Sequence, residues 1–189
     1  FDSGYKISNM LYTLFTSDFF KSESIRFKKV KSPSELVSGV LKLTGDNKPG
    51  VPNIQNYANY PSFMGQNLVN PPSVEGWHEG IEWIDSGALV ERVNFASSQF
   101  SDFDKPGIVN IVDNINREAK NINDIDALID ILLKNLGLIT LSDSSRKALS
   151  DFYFKQLETR FKENDFVFNR QMISPMLNMI AATPDFQMV

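Results

Sequence analysis

Ser32-Pro33-Ser34-Glu35-Leu36-Val37-Ser38-Gly39-Val40-Leu41-Lys42-Leu43-Thr44-Gly45 is the stretch that decides the fold. Its opening is a capping box. Ser32 stands at the N-cap, Pro33 takes the first helical position, and Glu35 reaches back to the cap backbone. Leu36, Val40 and Leu43 carry the helix forward on one face. Gly45 ends it, because glycine enters the left-handed conformation at a helix C-terminus without a side-chain clash. Asp46 to Pro52 is turn chemistry.

The same helical spacing recurs on both sides of this segment. Upstream, Ile7, Met10, Leu11 and Leu14 fall at i, i+3, i+4 and i+7, so a helix is expected over Tyr5–Phe15. Arg26, Lys28, Lys29 and Lys31 form a basic cluster read as a solvated connector, with an acidic partner as the second reading. Downstream, an interrupted helical stretch runs from Ile54 to Val69 and stops at Asn70-Pro71-Pro72. Asp85 or Ser86 is expected to cap a helix reaching about Gln99, with Leu89, Val90, Val93 and Ala96 inward. Ile108, Ile111, Val112, Ile115 and Ala119 mark another helix. Ile125, Leu128, Ile129, Leu132 and Leu136 mark the next, with Asn123 as its cap and Gly137 as its stop. Ser142 is expected to cap a third, bearing Leu149, Phe152, Gln156 and Leu157, beyond which a loop is expected at Lys162–Asp165. A last helix is predicted over Phe168–Ala182, kinked or starting late because of Pro175. Thr16-Ser17-Asp18-Phe19 and Thr183-Pro184-Asp185-Phe186 look like two copies of one device: a threonine cap, an acid in the first turn and an aromatic anchor.

Strand alternation is almost absent. The expected fold is therefore all-α: an irregular multi-helix bundle of about eight helices with one long structured Gly/Trp loop. It is read as a single helical domain over residues 1–189, with a bundle over 104–189. Two sub-bundles joined near Ser101–Pro106 are the alternative.

Composition narrows the chemistry. The chain has 189 residues and no cysteine, which excludes thiol nucleophiles, thiolate metal sites and disulfides. His78 is the only histidine, so a multi-histidine metal site or histidine relay is excluded. Net charge is −4, which supplies no global field for nucleic acid. No apolar run approaches the ~20 residues that cross a bilayer, so a membrane-embedded chain is not expected. No cofactor motif is present: glycines near Trp77 lack phosphate-cradling spacing and follow no strand. No Gly-x-Ser-x-Gly elbow is present, and Ser142–Ser145 is explained by capping.

The densest segment is Met64-Gly65-Gln66, followed by Pro71-Pro72-Ser73-Val74-Glu75-Gly76-Trp77 and Gly80-Ile81-Glu82-Trp83-Ile84. It resembles the bacterial domain-of-unknown-function 1800 family. Lys29 to Gly39 is similar to that family's Lys-x-Pro-x-Glu helix start. Leu89-Val90-Glu91-Arg92-Val93-Asn94-Phe95 is similar to its Leu-x-x-Arg-x-Asn-Phe helix, and Thr183-Pro184-Asp185-Phe186-Gln187 to its C-terminal motif. The strong motifs cover residues 28–97, with a weaker match to the end. The resemblance implies a larger, mainly helical, exported bacterial protein, often encoded beside a second uncharacterised exported protein. It also implies that this chain is the C-terminal half, and that the partner is the missing N-terminal half or another protein. Phe1 follows no signal-peptide pattern, which fits a processed product or a piece of something longer.

Trp77 and Trp83 are the only tryptophans. They are read as core plugs under an irregular loop, or as an aromatic platform for a sugar ring or a proline-rich peptide. Both are expected to be mostly buried, with the loop held by side-chain hydrogen bonds from Arg92 or Asp85. Glu75, Glu79 and Glu82 place three carboxylates within eight residues, and paired carboxylates serve glycoside hydrolysis. His78 beside Glu79 is a candidate base. Arg92 is expected to reach back to Glu75, Asp85 or a loop carbonyl as a clamp. Two functions follow. One is a non-catalytic protein-binding or scaffold module. The other is a half-site of a hydrolase acting on a polysaccharide or cell-envelope polymer through Glu75, His78 or Glu79.

The first helix adds a physical expectation. Tyr5, Tyr12 and Phe15 lie beside Met10, Leu11 and Leu14, so apolar residues occupy more than one face. An exposed apolar patch of more than a few hundred Å² is expected around the first two helices, to be covered by a partner or an oligomer contact.

Overall fold

The fold comes from a computed structural model that describes residues 4–52, 54–122, 124–137, 141–162 and 168–189. Among the described residues there are nine α-helices and no strand, so the chain is all-α. They are α1 (Ile7–Thr16), α2 (Asp18–Lys21), α3 (Pro33–Thr44), α4 (Tyr60–Phe63), α5 (Ser86–Phe100), α6 (Pro106–Glu118), α7 (Ile125–Leu136), α8 (Asp143–Gln156) and α9 (Ile173–Ala181).

The capping box of α3 forms. Ser32 Oγ accepts from the Glu35 amide at 3.2 Å, and the Ser32 amide donates to Glu35 Oε2 at 2.7 Å. Gly45 closes the helix at φ 83°. The buried face is Leu36, Val37, Val40 and Leu41, which pack on α5 and α6. Ser32→Ala orphans a first-turn donor and is expected to lower stability by about 0.5–2 kcal/mol. Urea unfolding measures it; an unchanged midpoint would mean that the box contributes nothing.

The core runs from α3 through α5 to α9 and along α6, α7 and α8. Ile108, Ile111, Val112 and Ile115 of α6 are all buried, as are Ile125, Leu128, Ile129, Leu132 and Leu136 of α7. Gly107 lets α6 start directly against the last turn of α3: a Cβ there would stand 2.0 Å from the Leu43 carbonyl oxygen.

Local details depart from the sequence reading for identifiable reasons. Asn123 lies outside the described residues, and Asp124 caps α7 by accepting from the Ala127 amide at 2.7 Å. The expected Lys162–Asp165 loop lies mostly outside them too. On α5 the buried stripe is Arg92, Phe95, Ala96, Gln99 and Phe100, which leaves Val90 exposed. The stretch after Ile54 forms a 3-10 turn (Ile54–Asn59) before the single turn of α4. The last helix does start late, as Pro175 leads one to expect, at Ile173 behind a 3-10 turn. Pro175 then falls in the first turn, where amides have no intrahelical acceptor. The two Thr-containing motifs do not share one device. Ser17, not Thr16, caps α2, and Thr16 bonds back to the Tyr12 carbonyl; only Thr183 accepts from the amide three residues on.

The α1–α2 arm stands apart from this core. α1 runs Ile7–Thr16 rather than from Tyr5, and it contains no buried residue. Ile7 is 71% exposed, Tyr12 72% and, on α2, Phe19 70%. Phe15 packs edge-on to Phe20 with ring centroids 4.9 Å apart, so the arm is held chiefly by itself.

Candidate functional site

The motif-bearing segments converge at the start of α3. Lys29 and Val189 exchange backbone hydrogen bonds at 3.2 and 2.8 Å, and the Lys31 amide donates to the Gln187 carbonyl at 2.8 Å. Beneath this bridge lies Arg92, which is 0% exposed. Its Nε donates to Gln187 Oε1 and its Nη2 to the Lys31 carbonyl, both at 2.8 Å. Gln187 Nε2 continues to the Ala181 carbonyl at 2.9 Å. On the other side, Gln66 is buried and its Oε1 accepts from the Ser34 amide at 2.9 Å. Arg92 is thus a clamp, as the planar guanidinium suits. Its partners are the two chain segments, not Glu75, Asp85 or the tryptophan loop. Asp85 caps α5 instead, accepting from the Ala88 amide at 2.8 Å.

The hub is electrostatically unusual. Lys31 Nζ donates to the Phe186 carbonyl at 2.7 Å and lies 4.7 Å from the Phe186 ring centre. Burial, then the neighbouring Arg92 charge, push its pKa down to about 8, against the opposing pull of Glu35. Burial also lowers Arg92 to about 10, with Glu35 raising it. Lys31 is therefore not part of a solvated connector. Lys29 does remain in solvent and pairs with Glu35 at 2.6 Å.

An open groove of about 820 Å³ lies on this hub. Val30, Ser32, Gln66 and Met188 line its hub side, and Glu75, Trp77, Glu79 and Trp83 its loop side, with Lys28 and Lys29 also lining it. Trp83 is buried, while Trp77 is only half-buried, which corrects the expectation that both would be mostly covered. The Trp77 Nε1–H donates to the Asn67 carbonyl at 3.0 Å, which fixes the indole on its own loop. Gly76 turns the chain beside it at φ 104°, a conformation that favours glycine. Glu75 and Glu79 are exposed.

His78 does not join these carboxylates. Its Nδ1 lies 2.7 Å from Glu82 Oε2, and both line a separate depression of about 620 Å³ with Phe63 and Asp85. The candidate trio Glu75, His78 and Glu79 is therefore split between two cavities. No group of three metal-ligating side chains gathers among the described residues. No described helix is long and apolar enough to cross a membrane.

Sequence reading missed one cluster entirely. Lys105, buried at the start of α6, donates to Asp46 Oδ2, to Gln99 Oε1 and, at 3.3 Å, to the Tyr57 hydroxyl. Tyr57 in turn donates to Asp46 Oδ2 at 2.9 Å. All three ammonium protons are committed inside the protein, so the cluster pins loops and offers no free group. Gln99 is six residues from Lys105, but Asp46 and Tyr57 lie 59 and 48 residues away, and no local pattern announces those two.

A family model described as "Protein of unknown function (DUF1800)" matches residues 1–188. That span is wider than the 28–97 motif region. No curated protein and no solved structure matches the chain.

Proposed function

Since the chain belongs to the DUF1800 family, whose function is unknown, we propose that it works as a non-catalytic helical binding or scaffold module of a larger exported bacterial protein. In this reading residues 1–189 are one helical domain, the C-terminal half of that protein. The α1–α2 arm docks on the N-terminal half or on a partner protein.

One observation carries the reading: α1 is a ten-residue helix with no buried residue, although Ile7, Met10, Leu11, Tyr12, Leu14 and Phe15 are apolar or aromatic. No charged side chain lies between Ile7 and Ser17 to solvate it. At ~150–250 Å² per aromatic residue, the exposed arm presents apolar area on the order of 1,000 Å². Soluble monomers rarely leave that much uncovered, and about 800 Å² per partner makes a standard interface.

The test replaces Ile7, Met10 and Tyr12 with serine together. The variant is expected to melt within about 2 °C of the parent, since these side chains stand outside the core. It should also lose most of the parent's binding of the apolar-surface dye ANS. A large drop in melting temperature, or a parent that binds no dye, would overturn the docking role. The exported location rests on the family resemblance and is tested by cell fractionation.

The hydrolase reading has one observation in its favour: Glu75 and Glu79 line one groove with both tryptophans. Against it, a glycosidase general acid needs a carboxyl withdrawn from water, and both of these are exposed.

A further inference from the structure

We infer that the groove on the hub binds a neutral oligosaccharide without cleaving it, with Trp77 as the stacking platform and Glu75, Glu79 and Lys28 as partners for sugar hydroxyls. This deepens the reading of the chain as a non-catalytic binding module by naming a ligand class; arm and groove are tested by different measurements, so either can fail alone.

The platform is preorganised. The single polar atom of Trp77 is already bonded to the Asn67 carbonyl, so the ring is oriented before any ligand arrives. The indole lines the groove and is only half-buried, so part of it stays open to a ligand. The face of an aromatic ring is electron-rich and attracts the weakly positive C–H edge of a sugar ring. A buried floor supports it: Trp83, Gln66, Ser32 and Val30. The backbone of that floor is tied by the Lys29–Val189 and Lys31–Gln187 bonds, so the groove sits on a braced surface.

The polar rim favours hydroxyls over other ligands. Glu75 and Glu79 have no side-chain hydrogen bond or ion pair to the other described residues, and neither does Lys28. They offer acceptors and donors together, as a polyol requires. Lys29 is engaged by Glu35, so the uncommitted charge at the rim is two carboxylates against one ammonium. That balance disfavours nucleic acid and acidic polysaccharide, which need a cationic groove. An extended peptide adding as a strand would need free backbone, but Lys29 and Lys31 already bond to the C-terminal segment. A volume of about 820 Å³ exceeds a single sugar ring and lies within the range of small-ligand sites. Exposure of both carboxylates is what a holding site tolerates and a cleaving site does not.

Both tryptophans of the chain line the groove, so intrinsic emission reports on it without a label. The chain is titrated with cellohexaose, chitohexaose and maltohexaose, and with oligogalacturonate as the acidic arm. The expected result is a saturable emission change with at least one neutral sugar, matched by calorimetry, with the sugar recovered intact. Trp77→Ala should abolish it. Trp77→Phe, which keeps an aromatic face if the loop depends on one, should retain binding by calorimetry. The double variant Glu75→Gln and Glu79→Gln should weaken binding without changing the fold. No binding to any neutral sugar, binding of the acidic one alone, or binding that survives Trp77→Ala in a folded protein would overturn the inference. Cleaved sugar would overturn it too, and would favour the hydrolase reading.

Discussion

Arg92→Ala is expected to lower the stability of the chain by about 3–5 kcal/mol. Two terms favour this loss. The Lys31 carbonyl and Gln187 Oε1 lose their 2.8 Å donor and become unpaired acceptors, at roughly 1–3 kcal/mol each. Truncating the largest fully buried side chain also opens a cavity, which for large buried residues costs about 2–5 kcal/mol. One term opposes: Arg92 has no carboxylate among its hydrogen-bond partners, and removing a buried charge relieves desolvation by about 1–4 kcal/mol. The losses outweigh the relief. Urea unfolding gives the magnitude, and amide exchange at Lys29, Lys31 and Val189 gives the place, because these amides form the bridge that Arg92 supports. A loss below about 1 kcal/mol with the bridge still protected would show that Arg92 is not the clamp.

Lys105→Met is expected to cost a similar amount, about 3–5 kcal/mol, by leaving the buried Asp46 carboxylate without its cation. Tyr57 alone would remain to donate to it. The double variant Lys105→Met, Asp46→Asn should recover much of the loss, since no buried charge is then unpaired. Burial pulls the Lys105 pKa down, but its bonds to Asp46 and Tyr57, with their charges, outweigh burial and hold it above the ordinary 10.5. A raised ammonium pKa contributes stability fully below the unfolded value and loses it as pH rises through the folded one. The Lys105 contribution is therefore fully present at neutral pH and is lost in alkali, as pH rises through the folded value. A single variant as stable as the parent, or a double variant worse than the single, would contradict this reading.

The helices were legible because their signals are local. Ser32 and Glu35 are three residues apart and Gly45 directly follows its helix, so both ends of α3 can be read from the sequence. The stripes of α6 and α7 are likewise set by spacing along one helix. Arg92–Gln187 and Lys105–Asp46 pair across 95 and 59 residues, and no periodicity encodes a partner at that range. Arginine at residue 92 was legible as a clamp by its chemistry, while its true partners depended on how α5 rotates against the chain ends. That rotation also misplaced Val90. In the Thr16-Ser17 pair two adjacent hydroxyls compete, and the bend of the chain after α1 selects Ser17. For the site, the sequence placed both tryptophans and two carboxylates in one segment, and the groove collects them. His78 was grouped with them by adjacency, but its bond to Glu82 turns it to another cavity.

α1 is uncovered within this chain, and the proposed docking would cover it in the working protein. Hydrogen–deuterium exchange of the amides of Ile7–Thr16 reads this covering, measured in the isolated chain and in the protein as isolated from its cell. Fast exchange in the chain and strong protection in the cellular protein are predicted, because docking would fix a helix whose main neighbour among the described elements is α2. Fast exchange in both, or protection already present in the isolated chain, would contradict it.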